Sequence, residues 1–512
     1  MVLDYIILGL YALSMVAIAI YTRNRAKSVK DFLLAGKRGL GGWMSAFSYG
    51  TTYFSAVIFI GYAGKFGSEY GLAAAWIGIA NAIIGSLLAW IVLARRTKNM
   101  TNRLSAKTMP EFFERRYGSK RLKLVSAVIV FVFLIPYSAS VYNGLSNLFE
   151  AVFSIPGWVI MVVLAVLTAL YLFFGGYFAT AISDFIQGII MLVGVVLMVF
   201  CFMNHENVNW DLSSLTSNPE LNWVTFGSEE GGLYGHTASL LSLILLTSFG
   251  VFALPQTIHK YYAIRDRRAI KHGTVVSTLF ALIIGFGAYF VGGLSSLFPE
   301  TALLGGDDII PYMLSKVIPT GLMGIIAVLI LSASMSTLAS VSLSSASVVA
   351  IDIYKGRINP EASDKRTNTV MRVLCLVFVA ISVTIALLNR SFGLTAIAYM
   401  MGISWGTLAG CFIGPFVLGV CWKRVTRPAV WTSIISSLCL TAGLIVFLGY
   451  DKLEYACTFS EALGAGVSLS PMIGVICMAS SMILTAVVSL FTKAPSKEII
   501  SEAFDKKIEN EV

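Results

Sequence analysis

The sequence predicts an all-α protein embedded in a membrane, and three observations support this fold class. Of the 512 residues, 57% are apolar and only 12% are Asp, Glu, Lys or Arg, whereas soluble globular proteins have about 25% charged residues. The mean hydropathy is +0.81. Many apolar stretches reach about 20 residues, the length at which a helix crosses the hydrocarbon of a bilayer. This composition excludes a cytosolic enzyme and a nucleic-acid-binding module.

Thirteen apolar stretches are long enough to span the membrane. The first has no basic residues before it and no small-residue cleavage site after it, so we interpret it as a helix and not as a signal peptide. The stretches lie at roughly 3–22, 40–64, 71–94, 124–152, 157–175, 178–203, 237–260, 273–297, 320–350, 370–389, 392–420, 428–449 and 471–491.

The basic residues predict how the chain is oriented. Alternate loops carry 33 of the 37 Lys and Arg residues, which leaves Lys65, Lys316, Arg390 and Lys452 for the other side. The positive-inside rule therefore places the N-terminus outside the cell and the C-terminus in the cytoplasm. The loop 204–236 agrees, because it falls outside and contains five acidic residues and no basic one. The net charge of +10 then belongs to the cytoplasmic face and needs no nucleic-acid partner.

Two of the predicted spans contain residues that interrupt helices. Gly50 lies within a run of hydroxyl-bearing residues, and Gly250 and Pro255 lie in the seventh span, five helices further on. Interrupted spans at corresponding places in two halves are typical of secondary transporters built from inverted repeats. The alternative is that Gly and Pro are simply frequent in membrane helices.

A third segment is rich in hydroxyl groups. Between Ser332 and Ser345, eight of fourteen residues are Ser or Thr. Some of these side chains are expected to serve close helix packing. Hydroxyls and carbonyls freed from a helix also suit a hard cation such as Na⁺.

Asp184 is the carboxylate that lies deepest within a predicted span. An ionised group inside the membrane is costly unless it faces the bundle interior or a cation, so Asp184 is a candidate functional residue. The alternative is that it caps a helix whose true start is Ser183.

These segments resemble the sodium:solute symporters, a family that includes sodium/pantothenate, monocarboxylate and sodium/proline carriers. The resemblance runs from the motif at 31–38, DFLLAGKR, to about Arg424. It implies the leucine-transporter fold, with two inverted five-helix repeats. The implied parts are a leading helix and loop (1–38), a first repeat (39–203), an extracellular loop (204–236), a second repeat (237–424), two trailing helices (425–491) and a cytoplasmic tail (492–512).

The resemblance also implies sodium ligands. The shared sodium site would take backbone oxygens of three residues and two hydroxyls, from Thr51, Phe54, Ala333, Ser336 and Thr337. Some members bind a second sodium ion through an Asp that matches Asp184, together with serines that match Ser336 and Ser340. The remaining position of that second site is Ala339 in this chain, which removes one hydroxyl.

Substrate residues are predicted more loosely, because the carriers differ in the cavity. Tyr53 stands where sodium/proline symporters have an Asp, and Tyr137 stands where sialic-acid carriers have an Arg. Neither proline nor a bulky sugar acid is therefore favoured, and a small carboxylate is. The predicted cavity residues are Thr52, Tyr53, Ser55, Tyr137, Asn143, Phe249, Phe252 and Trp405.

The sequence thus predicts a sodium-coupled symporter of a small organic carboxylate (a monocarboxylate, a pantothenate-like acid or an amino acid) that works by alternating access in the cell membrane. Na⁺ is the coupling ion, the partners are the solute and the bilayer, and the functional unit is a monomer. No enzymatic constellation and no phosphate-binding Gly-Lys-Ser/Thr loop is found, so neither catalysis nor ATP is expected. Two alternatives remain: a proton-coupled symporter that uses Asp184, and a membrane sensor with a transporter-like domain.

Overall fold

The structure is a computed structural model that describes residues 2–23, 28–34, 39–223, 234–392 and 396–505. These residues form helices joined by short connections, together with one isolated parallel bridge between Leu40 and Ile264. Four residues of the motif at 31–38 and part of the loop 204–236 lie outside the described residues.

The helices are numbered in the order in which they follow one another along the chain. They are α1 (Val2–Thr22), α2 (Val29–Leu34), α3 (Gly42–Tyr53), α4 (Ala63–Tyr70), α5 (Ala75–Ala80), α6 (Arg95–Arg103), α7 (Met109–Tyr117), α8 (Lys120–Phe153), α9 (Gly157–Met203), α10 (Ser213–Thr216), α11 (His236–Gly250), α12 (Pro255–Tyr262), α13 (Arg267–Gly293), α14 (Gly306–Val317), α15 (Met323–Ser347), α16 (Asp364–Phe392), α17 (Ile397–Ile413), α18 (Gly419–Cys421), α19 (Arg427–Lys452), α20 (Phe459–Ser468), α21 (Ser470–Phe491) and α22 (Lys497–Phe504).

The helical connections include wider, π-helical segments. The main ones are Val57–Tyr62 before α4, Asn81–Leu88 and Trp90–Ala94 between α5 and α6, and Val348–Ile358 after α15.

The number of membrane spans agrees with the prediction. Eleven helical stretches among the described residues are long and apolar enough to cross a membrane. Two of them, Val57–Arg103 and Gly157–Met203, contain 47 residues each. Such a stretch would be about 70 Å long if straight, more than twice the bilayer hydrocarbon. Each turns at a glycine with positive φ, Gly71 at +56° and Gly176 at +58°. Separating them there gives thirteen spans, provided that the short piece before Gly71 is counted together with α3 as one span.

The first predicted break is present, but it lies a few residues past the glycine that signalled it. Helix α3 runs through Gly50 and ends at Phe54, whose backbone is extended (φ −105°, ψ 120°). Gly50 serves packing instead, because a Cβ atom there would lie 2.4 Å from the ring of Phe280. The span predicted as 40–64 is therefore two helical pieces with an unwound joint at Phe54 and Ser55. The first piece is α3, and the second consists of the π-helical segment Val57–Tyr62 and α4.

The second break falls where the sequence places it. Helix α11 ends at Gly250, and α12 begins at Pro255 after an irregular turn. Proline suits the first position of a helix, because the N–H that it lacks would have no partner in the helix there. Both interrupted spans are thus broken near the middle of the stretch predicted from the sequence.

Helix α15 is the central helix of the bundle. It packs against α1, α3, α8, α9 and α16, and nearly all of its residues are buried. Because no face of α15 is left for lipid, its small and hydroxyl-bearing residues face protein on all sides. Ser334 illustrates the packing role, since its hydroxyl donates to the carbonyl of Ile330 in the preceding turn at 2.7 Å.

Candidate cation and substrate sites

The unwound end of α3 meets the hydroxyl-rich part of α15. The Ser336 hydroxyl donates to the carbonyl of Thr51 at 2.7 Å. The Thr337 hydroxyl lies 3.1 Å from the carbonyl of Ala333 and 3.5 Å from that of Thr51. Four of the five residues predicted to bind sodium therefore place their oxygens together. The fifth, Phe54, is the buried residue at which α3 ends.

The chemistry of this oxygen cluster fits an alkali cation. All five residues are almost fully buried, and the four oxygens that meet at the junction are two carbonyls and two hydroxyls without formal charge. Hard cations prefer such oxygens over nitrogen or sulfur. An ion at this point would be held by α3 on one side and α15 on the other.

Asp184, on α9, lies in a second polar cluster that meets α3 at Ser48, about one helical turn before Thr51. Its carboxylate accepts a hydrogen bond from the Ser48 hydroxyl at 2.5 Å. The ammonium group of Lys260 lies 3.4 Å from the same carboxylate oxygen. Lys260 also donates to the hydroxyls of Ser48 at 3.0 Å and Ser340 at 2.8 Å. Asp184 and Ser340 are therefore linked through the ammonium group of Lys260, and their role in binding a second sodium ion stays a prediction.

The structure corrects two interpretations of this region. Asp184 does not cap a helix that starts at Ser183, because it lies about two turns past Gly176, where the second half of α9 begins. Lys260 does not belong to a cytoplasmic loop, because it lies in α12 with 2% of its surface exposed.

Lys260 and Ser48 are the residues of this cluster that the sequence did not single out. A signal for Lys260 was present. A helix that restarts at Pro255 in mid-membrane needs several turns to reach the surface, so a lysine five residues later is still inside the bundle.

An aromatic cluster lies beside the first oxygen cluster. The ring of Trp405 is 5.6 Å from that of Tyr137, edge to face, and 6.2 Å from that of Tyr53. The Tyr53 hydroxyl donates to the carbonyl of Thr247 at 2.8 Å, which joins the ends of the two broken helices. The Tyr137 hydroxyl and the Trp405 N–H are buried and have no hydrogen-bond partner among the described residues. Buried polar groups of this kind call for a ligand or a water molecule.

Three other predicted cavity residues border this region. The Thr52 hydroxyl bonds the Ser48 carbonyl at 2.8 Å and lies 2.9 Å from the Ser340 hydroxyl, so it faces the Asp184 cluster. Ser55 accepts a hydrogen bond from a backbone N–H two residues further on. The Asn143 amide nitrogen contacts the sulfur of Met400 at 3.8 Å, and its buried oxygen has no partner in the described part of the chain.

Phe249 and Phe252 line an apolar groove of about 310 Å³, together with residues of α21 that include Val475 and Met478. No contact between these two rings and the hydroxyl-bearing residues of α3 is seen among the described residues, so a role in solute binding remains a prediction for both.

The fold and the two clusters define a class of protein, an integral-membrane transporter with two broken helices and a buried junction of hydroxyl and carbonyl oxygens between α3 and α15. The chain belongs to the sodium:solute symporter family, whose sequence profile matches residues 32–436. This is a family of carriers and not of enzymes.

Curated relatives cover the chain almost completely. It is 28% identical over 501 residues to the osmoregulated proline transporter OpuE of Bacillus subtilis, covering 96% of this chain and 95% of the relative. It is 27% identical over 511 residues to a sodium/proline symporter of Haemophilus influenzae, with 97% and 96% covered.

Solved structures show the same fold. A Na⁺-coupled sialic acid symporter in a substrate-bound, outward-open state matches with a TM-score of 0.76 at 19% identity, over 96% of this chain and 98% of that one. MhsT in complex with L-phenylalanine matches with a TM-score of 0.51 at 12% identity, over 87% and 100%. The predicted leucine-transporter fold is thereby confirmed.

Proposed function

We propose that the protein takes up a small organic carboxylate together with Na⁺, and that the ion binds at the junction of α3 and α15. The observation that carries this proposal is the meeting of four buried oxygens, from Thr51, Ala333, Ser336 and Thr337, beside the break in α3. The backbone oxygen of Phe54 is proposed as the fifth ligand of the site.

The coupling between ion and solute follows from where the junction lies. An ion that binds α3 and α15 together favours the conformation in which the adjoining cavity is formed. It can favour that conformation only by as much as its affinity differs between the two states. One Na⁺ that moves through 100 mV supplies about 2.3 kcal/mol, and a tenfold sodium gradient adds about 1.4 kcal/mol. Together they support roughly five-hundredfold accumulation of a neutral solute.

The aromatic cluster favours a compact solute. Tyr53, Tyr137 and Trp405 offer stacking faces, and two of them have buried donors without partners among the described residues. A carboxylate can be held by such donors and by the free N–H groups at the start of the half-helix after Phe54, without an arginine. Proline is the second candidate solute, because the relatives from Bacillus subtilis and Haemophilus influenzae are named as proline carriers.

The remaining features of the proposal concern topology and assembly. The distribution of Lys and Arg supports an N-terminus outside the cell, a cytoplasmic C-terminus and residence in the cell membrane. One chain contains both clusters, so the functional unit is proposed to be the monomer.

Uptake into proteoliposomes tests the proposal. Candidate acids and L-proline are offered as radiolabelled solutes with Na⁺ outside, and again with Na⁺ replaced by choline at fixed pH. Uptake should require Na⁺, and Thr337→Ala and Ser336→Ala should abolish it. Ser334→Ala is the matched control and should retain uptake, because Ser334 bonds only within its own helix.

The same experiment separates the alternatives. Undiminished uptake in choline, driven by an inward proton gradient, would refute sodium coupling and favour the proton-coupled symporter that uses Asp184. A protein that binds solute but never transports it in either condition would favour the membrane sensor.

A further inference from the structure

The ammonium group of Lys260 has the surroundings of a bound cation. Three side-chain oxygens face it, from Ser340 at 2.8 Å, Ser48 at 3.0 Å and Asp184 at 3.4 Å. The ring of Tyr177 lies 5.1 Å away and presents its face to the charge. All five side chains are at most 3% exposed.

This geometry bears on the second sodium site that the family resemblance raised. The residues that would form it are Asp184, Ser336, Ser340 and the position of Ala339. Ala339 supplies no oxygen, and the Ser340 hydroxyl and one carboxylate oxygen of Asp184 are already engaged by Lys260. This leaves the second Asp184 oxygen as the one buried oxygen of these two residues that has no partner in the described part of the chain. The residues present therefore do not fit a second sodium ion.

We propose that Lys260 is a built-in cation that takes the place of a second sodium ion, so that the protein binds one Na⁺ per transport cycle. This inference rests on the proposed function, because it counts the ions that accompany the solute. It makes Lys260 the residue that determines the ion stoichiometry.

Electrostatics explain why the two cations exclude each other. A sodium ion held by the Asp184 carboxylate and the Ser340 hydroxyl would lie within a few ångströms of the Lys260 ammonium group. Two like charges at that separation repel strongly in a buried site. The ammonium group is attached to α12, so it cannot leave the cluster by diffusion as a free ion can.

The charge of Lys260 also links several helices of the bundle. The cluster takes Ser48 from α3, Asp184 from α9, Lys260 from α12 and Ser340 from α15. It therefore joins both broken spans to the central helix, as a second ion would. Because Lys260 stays in the protein, this link does not require a second Na⁺ to cross the membrane.

Binding of ²²Na⁺ to the purified full-length protein tests this inference without knowledge of the solute. The wild type should bind one ion per chain with a Hill coefficient of one. The double variant Lys260→Ala/Ala339→Ser removes the tethered charge and restores the missing hydroxyl. It should bind two ions, with a Hill coefficient above one.

A neutral variant provides the matched control. Lys260→Met/Asp184→Asn removes both charges, so no unpaired charge is left buried and no carboxylate remains that would attract a second sodium ion. It should bind one ion per chain, like the wild type. Gel filtration of each purified variant shows whether it is folded.

The outcomes are distinct. A wild type that binds two ions would overturn the inference, and so would a folded Lys260→Ala/Ala339→Ser protein that still binds one. If that variant does not fold, the wild-type count decides alone. A wild type that binds no sodium, or a Thr337→Ala protein that binds as the wild type does, would refute the proposed function instead.

Discussion

Replacing Lys260 by methionine should destabilise the protein markedly, because it leaves the Asp184 carboxylate buried without its cation. At the observed 3.4 Å and an effective dielectric constant of about 20, the attraction between the two charges is about 5 kcal/mol. Breaking a buried pair by removing one partner typically costs about 3–5 kcal/mol. We therefore expect Lys260→Met to lower the free energy of unfolding by about 3–5 kcal/mol.

The measurement is SDS titration of the purified protein in mixed micelles, followed by tryptophan fluorescence. Lys271→Met, a change at an exposed lysine, is the control and should remain within about 0.5 kcal/mol of the wild type. Adding Asp184→Asn to Lys260→Met should restore most of the loss, since no charge is then left unpaired. A Lys260→Met protein as stable as the wild type would refute the assignment of the two groups as a buried ion pair.

Two further predictions concern packing and closure. Gly50→Ala should destabilise the protein by about 1–3 kcal/mol, because the added Cβ would lie 2.4 Å from the ring of Phe280. Gly250→Ala is the control and should be tolerated, because the atom nearest to its Cβ would be 3.5 Å away. Equal unfolding free energies of the two variants in the same SDS titration would contradict this prediction. Asp307→Ala removes the carboxylate that accepts from the Ile397 N–H at 3.0 Å at the start of α17, so we expect this end of the bundle to open more often. The measurement is the rate at which a thiol reagent labels a cysteine introduced by Tyr137→Cys, with and without Asp307→Ala. Faster labelling with Asp307→Ala would show the more frequent opening, and an unchanged rate would contradict it.

The broken helices could be predicted because their signals are local. A mid-membrane Pro255 cannot continue a hydrogen-bonded helix, and the irregular turn before it is where the sequence suggests. Gly50 indicated the correct span, but it is not the break itself. The glycine makes room for the ring of Phe280, and the chain unwinds four residues later, at Phe54. The proposed sodium ligands came from the family resemblance, and four of their oxygens lie close together in the structure.

Other features depend on where individual side chains point within the folded bundle, which the sequence does not specify. The positive-inside count places Lys260 among the residues of the cytoplasmic loops, although it lies buried in α12. Phe249 and Phe252 lie next to the break in the seventh span, but both line the groove against α21. Which side of a short irregular turn a ring faces depends on the neighbouring helices, and those are distant in sequence.

The hydrogen bond between Tyr53 and the Thr247 carbonyl has a consequence for how the carrier moves. It connects the last turn of α3 with the last turn of α11, each just before the break in its span, so neither half-helix can tilt far without pulling the other. We expect these two segments to travel as one body while the surrounding scaffold rearranges. A small molecule wedged between that phenol and that peptide group would then uncouple the pair and halt the cycle midway.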